Sequence, residues 1–386
     1  DLTTPANSGG SGSGGGSGGG GGPGGGSVVT KFLFGTYGKT ANQIAAGKAL
    51  AAGDPNGALY VAMGNVVKVD VSGVPAALGR LSGDIHASMR SAMIEDGRMV
   101  RDTILDHVRF SEQGTSVWGA GFYNNGGIDS DGNAAALHHN STGFLAGVDM
   151  PFGDGFRAGI GAGAVSNNAS EPGRASTASG STGHVLAYAG WSDSALTLKL
   201  GGDYGWGDVD VTREVAALLE TNRASERQRT MQFFGEAAYL FSTDVARIEP
   251  YGDFAHVSAR TGAFVEKSGT SALSGGGNDD DLTYVTVGVR GTLSSMNLGG
   301  TSIVPKLGIG WQHALERFKP DEVLTLQNAS QDFTVQGVPL SRDTAVVQAG
   351  LGLVLAPDIV LDIAYDGAFS SSSRDHGVRG ALRWSF

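Results

Sequence analysis

The stretch from Gly377 to Phe386, GVRGALRWSF, constrains the fold of this chain more than any other part of the sequence. Side chains of an extended strand alternate between two faces, so this stretch would have one apolar face and one face with two arginines. The apolar face holds Val378, Gly380, Leu382, Trp384 and Phe386, and the arginines are Arg379 and Arg383. An apolar face that ends in aromatic residues is typical of a strand between lipid and a wet interior. The stretch therefore predicts an all-β transmembrane barrel that closes on its last strand.

Composition restricts the other possibilities. The chain has 386 residues, no cysteine and a formal net charge of −11. Without cysteine it has no disulfide or thiol chemistry, and its acidic balance argues against a nucleic-acid partner, because phosphate binding requires clustered Lys and Arg. No run of about eighteen apolar residues predicts a membrane-spanning helix. No basic stretch followed by an apolar segment begins at Asp1, so we expect no secretory leader here and interpret the chain as a processed product or a fragment.

The first 77 residues divide into two parts by composition. Residues 1–27 are almost entirely Gly and Ser, which predicts a flexible linker. Residues 28–77 mix loops with an alanine-rich helix at 40–52 and a weaker helix at 59–63, and the valines between Val66 and Val71 suggest a short strand. We interpret residues 28–77 as a junction segment between a passenger and whatever follows.

Residues 78–110 show apolar side chains at helical spacing within a highly charged segment, which predicts one long helix. Its predicted lumenal charges are Arg80, Asp84, Arg90, Glu95, Asp96, Arg98, Arg101, Asp102, Asp106 and Arg109. Taken alone, such a helix could be an exposed amphipathic or coiled-coil arm. Directly before a barrel, the pattern favours a helix threaded through a charge-lined lumen.

From residue 114 to residue 386, period-two segments recur twelve times, and tight turns alternate with long polar loops. Twelve is an even number, as a closed single-chain barrel of this class requires. We predict loops at about 166–181, 212–227, 261–281 and 318–340. The charged side chains expected to face the lumen are Arg157, Lys199, Asp203, Glu236, Glu249, Asp253, Arg290, Lys306, Asp362, Arg379 and Arg383. A soluble β-sandwich also alternates, but its strands are shorter than these segments of ten or more residues.

The order of these parts resembles the translocator domain of classical monomeric type V autotransporters of Gram-negative bacteria. The resemblance covers about residues 76–386. It depends on LGRLSGDIHASMRSAMIEDGRMVRDTILDHVR before the barrel and on the closing ALRWSF, which is similar to the C-terminal signal of outer-membrane proteins. Through that resemblance, Trp384 and Phe386 are expected to be the signal read by the barrel assembly machinery.

The resemblance also implies a function. The chain would be a monomer in the bacterial outer membrane, in contact with its lipid, and would depend on periplasmic chaperones during assembly. It would take its own N-terminal passenger to the cell surface and anchor or release it there. That passenger is expected outside this chain, because residues 1–77 are too short and glycine-rich to be the whole of it. A diffusion porin and a barrel that anchors a surface adhesin remain alternative functions, although a porin would have no use for the charged helix.

The sequence predicts no catalytic, cofactor or metal site. Asp129, Asp131, His138 and His139 cluster near the first long loop, but no nucleophile with a base and an orienting partner is evident, so we interpret them as solvated loop residues. Some members of the resembled family cleave themselves at a lumenal asparagine. The segment 78–109 contains no asparagine, so we expect no such cleavage within the helix.

Overall fold

Twelve antiparallel strands form the main body of the molecule. The computed structural model describes residues 3–5, 30–109, 114–193, 195–299, 301–327 and 331–386. The barrel strands are β1 (Ser116–Ile128), β2 (Leu137–Pro151), β3 (Phe156–Glu171), β4 (Ser176–Ser192), β5 (Leu196–Val215), β6 (Glu220–Tyr239), β7 (Ala246–Thr261), β8 (Asp279–Leu293), β9 (Thr301–Ala314), β10 (Asp343–Ala356), β11 (Ile359–Phe369) and β12 (Ser373–Ser385).

Each strand pairs with its neighbours in sequence, and the last strand pairs with the first. In the β12–β1 pair, Ser385 lies opposite Ser116 and Ser373 lies opposite Ile128. This pairing closes the sheet, so the barrel strands leave no free edge that could pair with another chain. The predicted twelve-stranded antiparallel barrel, closing on its final strand, is confirmed.

The strands carry apolar side chains outwards and charged side chains inwards. On β5, Leu200 is 61% exposed whereas the neighbouring Lys199 is 2% exposed. On β12, Leu382 and Trp384 are exposed and Arg383 is buried. Successive side chains of a strand point to opposite faces, so this alternation gives an apolar outer wall around a charged interior.

One end of the barrel has short turns, and the glycines there serve the backbone. Gly155, in the turn before β3, has a φ of +76°, and a Cβ at this position would lie 2.2 Å from the carbonyl oxygen of Ser192. Only glycine fits such a turn without strain. At the other end the strands are longer than predicted, because β3–β4 and β5–β6 continue through most of the expected loops at 166–181 and 212–227.

A small cap covers the long-loop end. It contains helices α1 (Ala41–Ala52), α2 (Ala58–Val69) and α3 (Val74–Leu81) and a four-stranded sheet from the loops, formed by Phe264–Val265, Leu273–Gly275, Asp321–Leu326 and Asp332–Gln336. Its apolar core joins helix residues such as Leu50 and Met63 to loop residues such as Leu324 and Val335. The strand expected around Val66–Val71 is wrong, since α2 runs through Val69.

The predicted single helix over residues 78–110 is two helices. α3 ends at Leu81, and α4 (Ile85–Arg109) begins after a break at Ser82–Asp84. Gly83 adopts a φ of +66°, which helical backbone cannot accommodate, and this conformation turns the chain from the cap into the barrel. Phe110 lies outside the described residues. Among the residues described, none of the helices is both long and apolar enough to cross a membrane.

Candidate functional site in the barrel lumen

Helix α4 lies inside the barrel along its axis. Near the start of α4, His86 contacts Glu226, which lies above the middle of β6 on the long-loop side. Near its end, Lys199 donates a hydrogen bond of 3.0 Å to the carbonyl oxygen of Leu105. Lys199 lies close to the short turn before β5, so α4 runs from the long-loop end to the short-turn end. Its 25 residues span about 38 Å at 1.5 Å per residue.

At the long-loop end, Arg90 is fully buried and binds several partners at once. Its Nε donates to Asp280 Oδ2 at 2.5 Å, and its Nη1 donates to Glu322 Oε2 at 2.9 Å and to Thr261 Oγ1 at 2.8 Å. The fourth partner is the carbonyl oxygen of Asp321. These partners come from β7, β8 and the loop sheet, so one guanidinium ties the helix to the barrel wall and the cap.

His86 and Arg213 form a second buried cluster beside it. His86 Nδ1 lies 2.5 Å from Glu226 Oε1, and its Nε2 lies 3.1 Å from Glu266 Oε1. Arg213 donates to Glu266 through Nε at 2.9 Å and Nη2 at 2.6 Å, and through Nη1 to the carbonyl oxygen of Arg80. The cluster therefore connects α3, α4, β5, β6 and a loop of the cap.

Glu266 lies in this cluster outside the membrane-spanning strands, and its ionisation is strongly perturbed. Burial alone would raise the pKa of its carboxyl group, but the charge of Arg213 and hydrogen bonds from His86 and Arg213 lower the pKa to about 2. Glu266 is thus a carboxylate under all ordinary conditions. Its second oxygen also accepts the backbone N–H of Leu273 at 2.8 Å.

Halfway along the lumen, helix charges pair with the barrel wall. Arg98 lies 3.7 Å from Asp102 on its own helix and 3.5 Å from Asp375 on β12. Asp96 accepts from Nδ1 of His139 at 2.9 Å. His139 is 2% exposed, so its interpretation as a solvated loop residue is wrong. His139 points into the lumen because β2 already begins at Leu137. The apolar alternation visible in the sequence indicates a strand only from about Phe144.

Towards the short-turn end, wall charges form a chain across four strands, from β5 to β8. Lys199 lies 2.8 Å from Glu236, which accepts from Arg290 at 2.6 Å, and Arg290 also donates to Glu249 at 2.9 Å. On the opposite wall, Arg379 pairs with Asp106 of α4. Positive and negative side chains therefore alternate along this network, and α4 faces charges of both signs on the wall.

Asp149 organises a contact between the wall and His107, near the end of α4. It accepts from Nε2 of His107, from Ser116 Oγ at 3.0 Å and from Tyr188 Oη at 3.0 Å. The Ser116 hydroxyl and Nε2 of His107 thus both bind the Asp149 carboxylate. Within the described ranges, no group of three or more His, Asp or Glu side chains is arranged to hold a metal ion.

Below the end of α4, the lumen opens into a vestibule of about 1230 Å³ at the short-turn end. Arg247, Glu249, Lys306 and Asp362 are among its lining residues. The vestibule is the open part of a lumen that α4 fills over the rest of its length.

The predicted lumenal residues lie on the barrel wall, on α3 and α4, and in the break between these helices. All eleven wall charges, from Arg157 to Arg383, lie on inward positions and are buried or half-buried. Of the helix charges, Arg80 lies on α3 above the barrel, Asp84 lies in the break, and the side chain of Arg109 is outside the described part of the chain. The remaining seven, Arg90, Glu95, Asp96, Arg98, Arg101, Asp102 and Asp106, lie on α4. Trp384 and Phe386 are exposed on the outer wall.

Sequence reasoning missed the residues that hold the top of α4, namely His86, Arg213, Glu226, Glu266 and Glu322. Around Glu226, both faces of β6 are polar, since the outward residues include Arg223, Arg227 and Arg229. An alternation of apolar and polar residues therefore gives no signal there. Arginine at three of the four alternate positions from 223 to 229 was the available clue.

Comparison with known proteins agrees with this architecture. The autotransporter β-domain family model matches residues 117–366. Two curated proteins of Serratia marcescens, both named extracellular serine protease, are each 30% identical to this chain over 80% of its length. The chain spans 31% of the length of those relatives. The protease activity in their name is a property of those proteins.

Two solved structures share the fold. The translocator domain of autotransporter NalP from Neisseria meningitidis has a TM-score of 0.64 and 17% identity, and the match covers 79% of this chain and 100% of that one. The β-domain of the Bordetella autotransporter BrkA has a TM-score of 0.54 and 17% identity, with 71% and 100% covered.

Proposed function

This chain belongs to the autotransporter family through its β-domain, and from that premise we propose that its barrel takes the protein's own N-terminal passenger to the cell surface and is then closed by α4. The barrel is an outer-membrane barrel, as in the rest of the family. In this proposal the passenger is joined to the N-terminal side of the cap. The observation that carries the proposal is the ion-paired helix that fills the lumen immediately before β1 in the chain.

The size of the lumen supports passage of an unfolded passenger. A twelve-stranded barrel leaves space for a helix or an extended hairpin but not for a folded domain. Here α4 occupies that space and contacts the wall at Arg90, Arg98 and Asp106. The passenger would therefore cross before α4 settles, and α4 would remain as the seal.

The direction of α4 supports the sidedness of transport. Its N-terminus and the cap lie at the long-loop end, and long loops of outer-membrane barrels face outwards. A passenger joined to the N-terminal side of the cap would then lie at the surface. In the proposed orientation the short turns, Trp384 and Phe386 would face the periplasm, where chaperones and the assembly machinery would act on a monomeric chain.

The experiment that tests the proposal is a bilayer conductance measurement on the purified protein and a variant lacking Leu78–Phe110. We expect a small pore in the intact protein and a several-fold larger single-channel conductance in the variant, because the plug is removed. A variant lacking residues 6–29 keeps α4 and is the matched control, so its conductance should equal that of the intact protein.

A pore that is already wide in the intact protein, and unchanged by the deletion, would contradict the seal and favour a diffusion porin. A barrel that anchors an adhesin predicts the same conductances as the translocator. It differs in that the surface passenger would stay attached to the barrel, which fractionation of cells carrying the full-length protein would reveal.

A further inference from the structure

The outer wall carries a basic site just above its apolar band. On β5 the outward residues from Leu196 to Trp206 include Leu198, Leu200 and Tyr204, and Tyr204 stacks on Trp206 with ring centroids 5.8 Å apart. Ten residues of strand span about 33 Å, which a tilt of about 40° reduces to about 25 Å, the height of the lipid-facing band of such barrels. Trp206 therefore marks the boundary between lipid tails and headgroups at the long-loop end.

Two arginines lie at this level on the neighbouring strands. Arg229 on β6 is the direct cross-strand partner of Trp206 on one side and of Arg260 on β7 on the other. Both arginine side chains are exposed on the outer wall. Directly opposed residues of an antiparallel pair have Cα atoms about 4.5–5.5 Å apart, so two guanidinium groups share one small area.

Neither arginine side chain makes an ion pair with another of the described residues. In the described part of the chain, no ion pair or side-chain hydrogen bond involves Arg229 or Arg260. Like charges directly opposed across two strands are destabilising unless something compensates them. In contrast, Arg90 and Arg290 in the lumen are each paired with carboxylates.

The acidic residues nearby leave Arg229 unmatched. Asp208 is the cross-strand partner of Arg227, one step further from the membrane, and Asp279 is the partner of Arg260. Arg229 has Trp206 and Arg260 as its two cross-strand partners and no acid. Arg229 therefore presents a positive charge beside an aromatic ring, at the depth where lipid headgroups lie, whereas Arg260 lies beside Asp279 and, diagonally, Asp281.

We propose that Arg229 and Arg260 bind a phosphate group of a phosphorylated glycolipid in the outward-facing leaflet, with its acyl chains along Trp206 and Leu200. Arginine binds phosphate through paired, charge-assisted hydrogen bonds, and two adjacent guanidinium groups can share one phosphate. Because the apolar band lies directly below the arginines, the site favours a phosphate group attached to acyl chains over a free phosphate ion. This inference rests on the proposed orientation of the barrel, in which the long loops face outwards. It does not depend on passenger transport.

The test is a titration of the full chain in detergent with diphosphoryl lipid A, followed by native mass spectrometry. The double variant Arg229→Gln/Arg260→Gln should bind the lipid roughly tenfold more weakly than the wild type, because two charge-assisted contacts are lost. Arg223→Gln is the matched control. It removes an exposed arginine of the same strand face about 20 Å further along the strand, away from the membrane, and binding should be unchanged.

Two further arms identify the source of the phosphate. Lipid A without its phosphates should bind the wild type as weakly as diphosphoryl lipid A binds the double variant, and inorganic phosphate at the same concentration should not displace the lipid. Equal binding by the wild type and the double variant would overturn the proposal, as would an equal loss in Arg223→Gln or efficient displacement by inorganic phosphate. A heat-modifiable band in gel electrophoresis confirms that each variant is folded, and these outcomes leave the conductance test of transport unaffected.

Discussion

At the scale of single residues, buried charges in the lumen fix where α4 sits. Breaking a buried ion pair by removing one partner typically costs about 3–5 kcal/mol, although a well-packed apolar pair can be equally stable. An apolar helix in an apolar lumen could rotate or slide at little cost. Arg90, Arg98 and Asp106 each have matched partners on the wall, so a shift of one turn would leave several charges unpaired.

Glu266 gives this cluster a defined pH dependence. Its pKa is lowered from 4.5 to about 2, so its contribution to stability is fully present above pH 4.5 and is lost as the pH falls towards 2. The difference corresponds to about 3 kcal/mol. The groups that face it are His86 on α4 and Arg213 on β5. We expect the amides of α1–α3 to lose protection from hydrogen exchange between pH 5 and pH 2.

Glu266→Gln is the control for that prediction, since glutamine has a similar shape but cannot ionise. This variant should have lower protection at neutral pH and a smaller further loss on acidification, after correction for intrinsic exchange rates. The same pH profile in both proteins would show that other carboxyl groups, and not Glu266, open the cap.

At the scale of elements, the break between α3 and α4 lets one chain serve both the cap and the lumen. The cap helices pack across the mouth while α4 lies along the axis, so the chain must turn within three residues. Gly83 makes this turn with a left-handed backbone beside Leu273 of the loop sheet. Ser82 Oγ donates to the carbonyl oxygen of Gly79 at 2.8 Å, which satisfies a carbonyl at the end of α3.

Replacing Gly83 with alanine should therefore destabilise the cap. An alanine in the left-handed conformation costs about 1–2 kcal/mol. In addition, its Cβ would lie 2.4 Å from Leu273 Cδ1. Overpacking adds about 1–3 kcal/mol. Loss of helical circular dichroism on heating should occur at a clearly lower temperature.

Gly132→Ala is the matched control for Gly83→Ala. Gly132 has a φ of +86°, but no atom lies within 4 Å of its added Cβ, so only the backbone cost applies. Equal shifts in the two variants would mean that the contact with Leu273 contributes nothing.

At the scale of the whole molecule, closure of the barrel depends on the pairing of β12 with β1. The last residue extends this pairing, since Phe386 and Thr115 exchange backbone hydrogen bonds of 2.9 and 3.1 Å. Trp384 is 50% exposed and Phe386 is 67% exposed, so both present their rings outside the barrel. The final residues thus combine a role in closure with an outward aromatic surface available to an assembly factor.

Deleting Trp384–Phe386 should prevent assembly into the outer membrane, because it removes both the closing hydrogen bonds and the aromatic surface. Heat-modifiable protein in the outer-membrane fraction is the measurement. Asp358→Ala removes only the carboxylate that accepts from Trp384 Nε1 at 2.8 Å, and this control should assemble normally. Normal amounts of folded barrel after the deletion would rule out the predicted role of the two aromatic residues.

The sequence by itself determined the barrel, its twelve strands, the inward charges and the helix before it. These features follow from local periodicity, since a strand that separates lipid from a wet lumen alternates residue by residue over its membrane part. Residue order also carried the family resemblance and, with it, the expected function.

Only the tertiary structure decided the cap, the break at Gly83 and the partners of the charges. His86 and Glu226 are 140 residues apart in sequence, and Arg90 and Glu322 are 232 apart, so no local pattern joins them. Above the membrane, both faces of β6 are polar. On β5 the apolar side chains there, such as Val209 and Val211, point inwards against α4, so the rule that apolar residues face lipid fails. There, long-range packing determines where strands end, and a short sequence window contains no information about that packing.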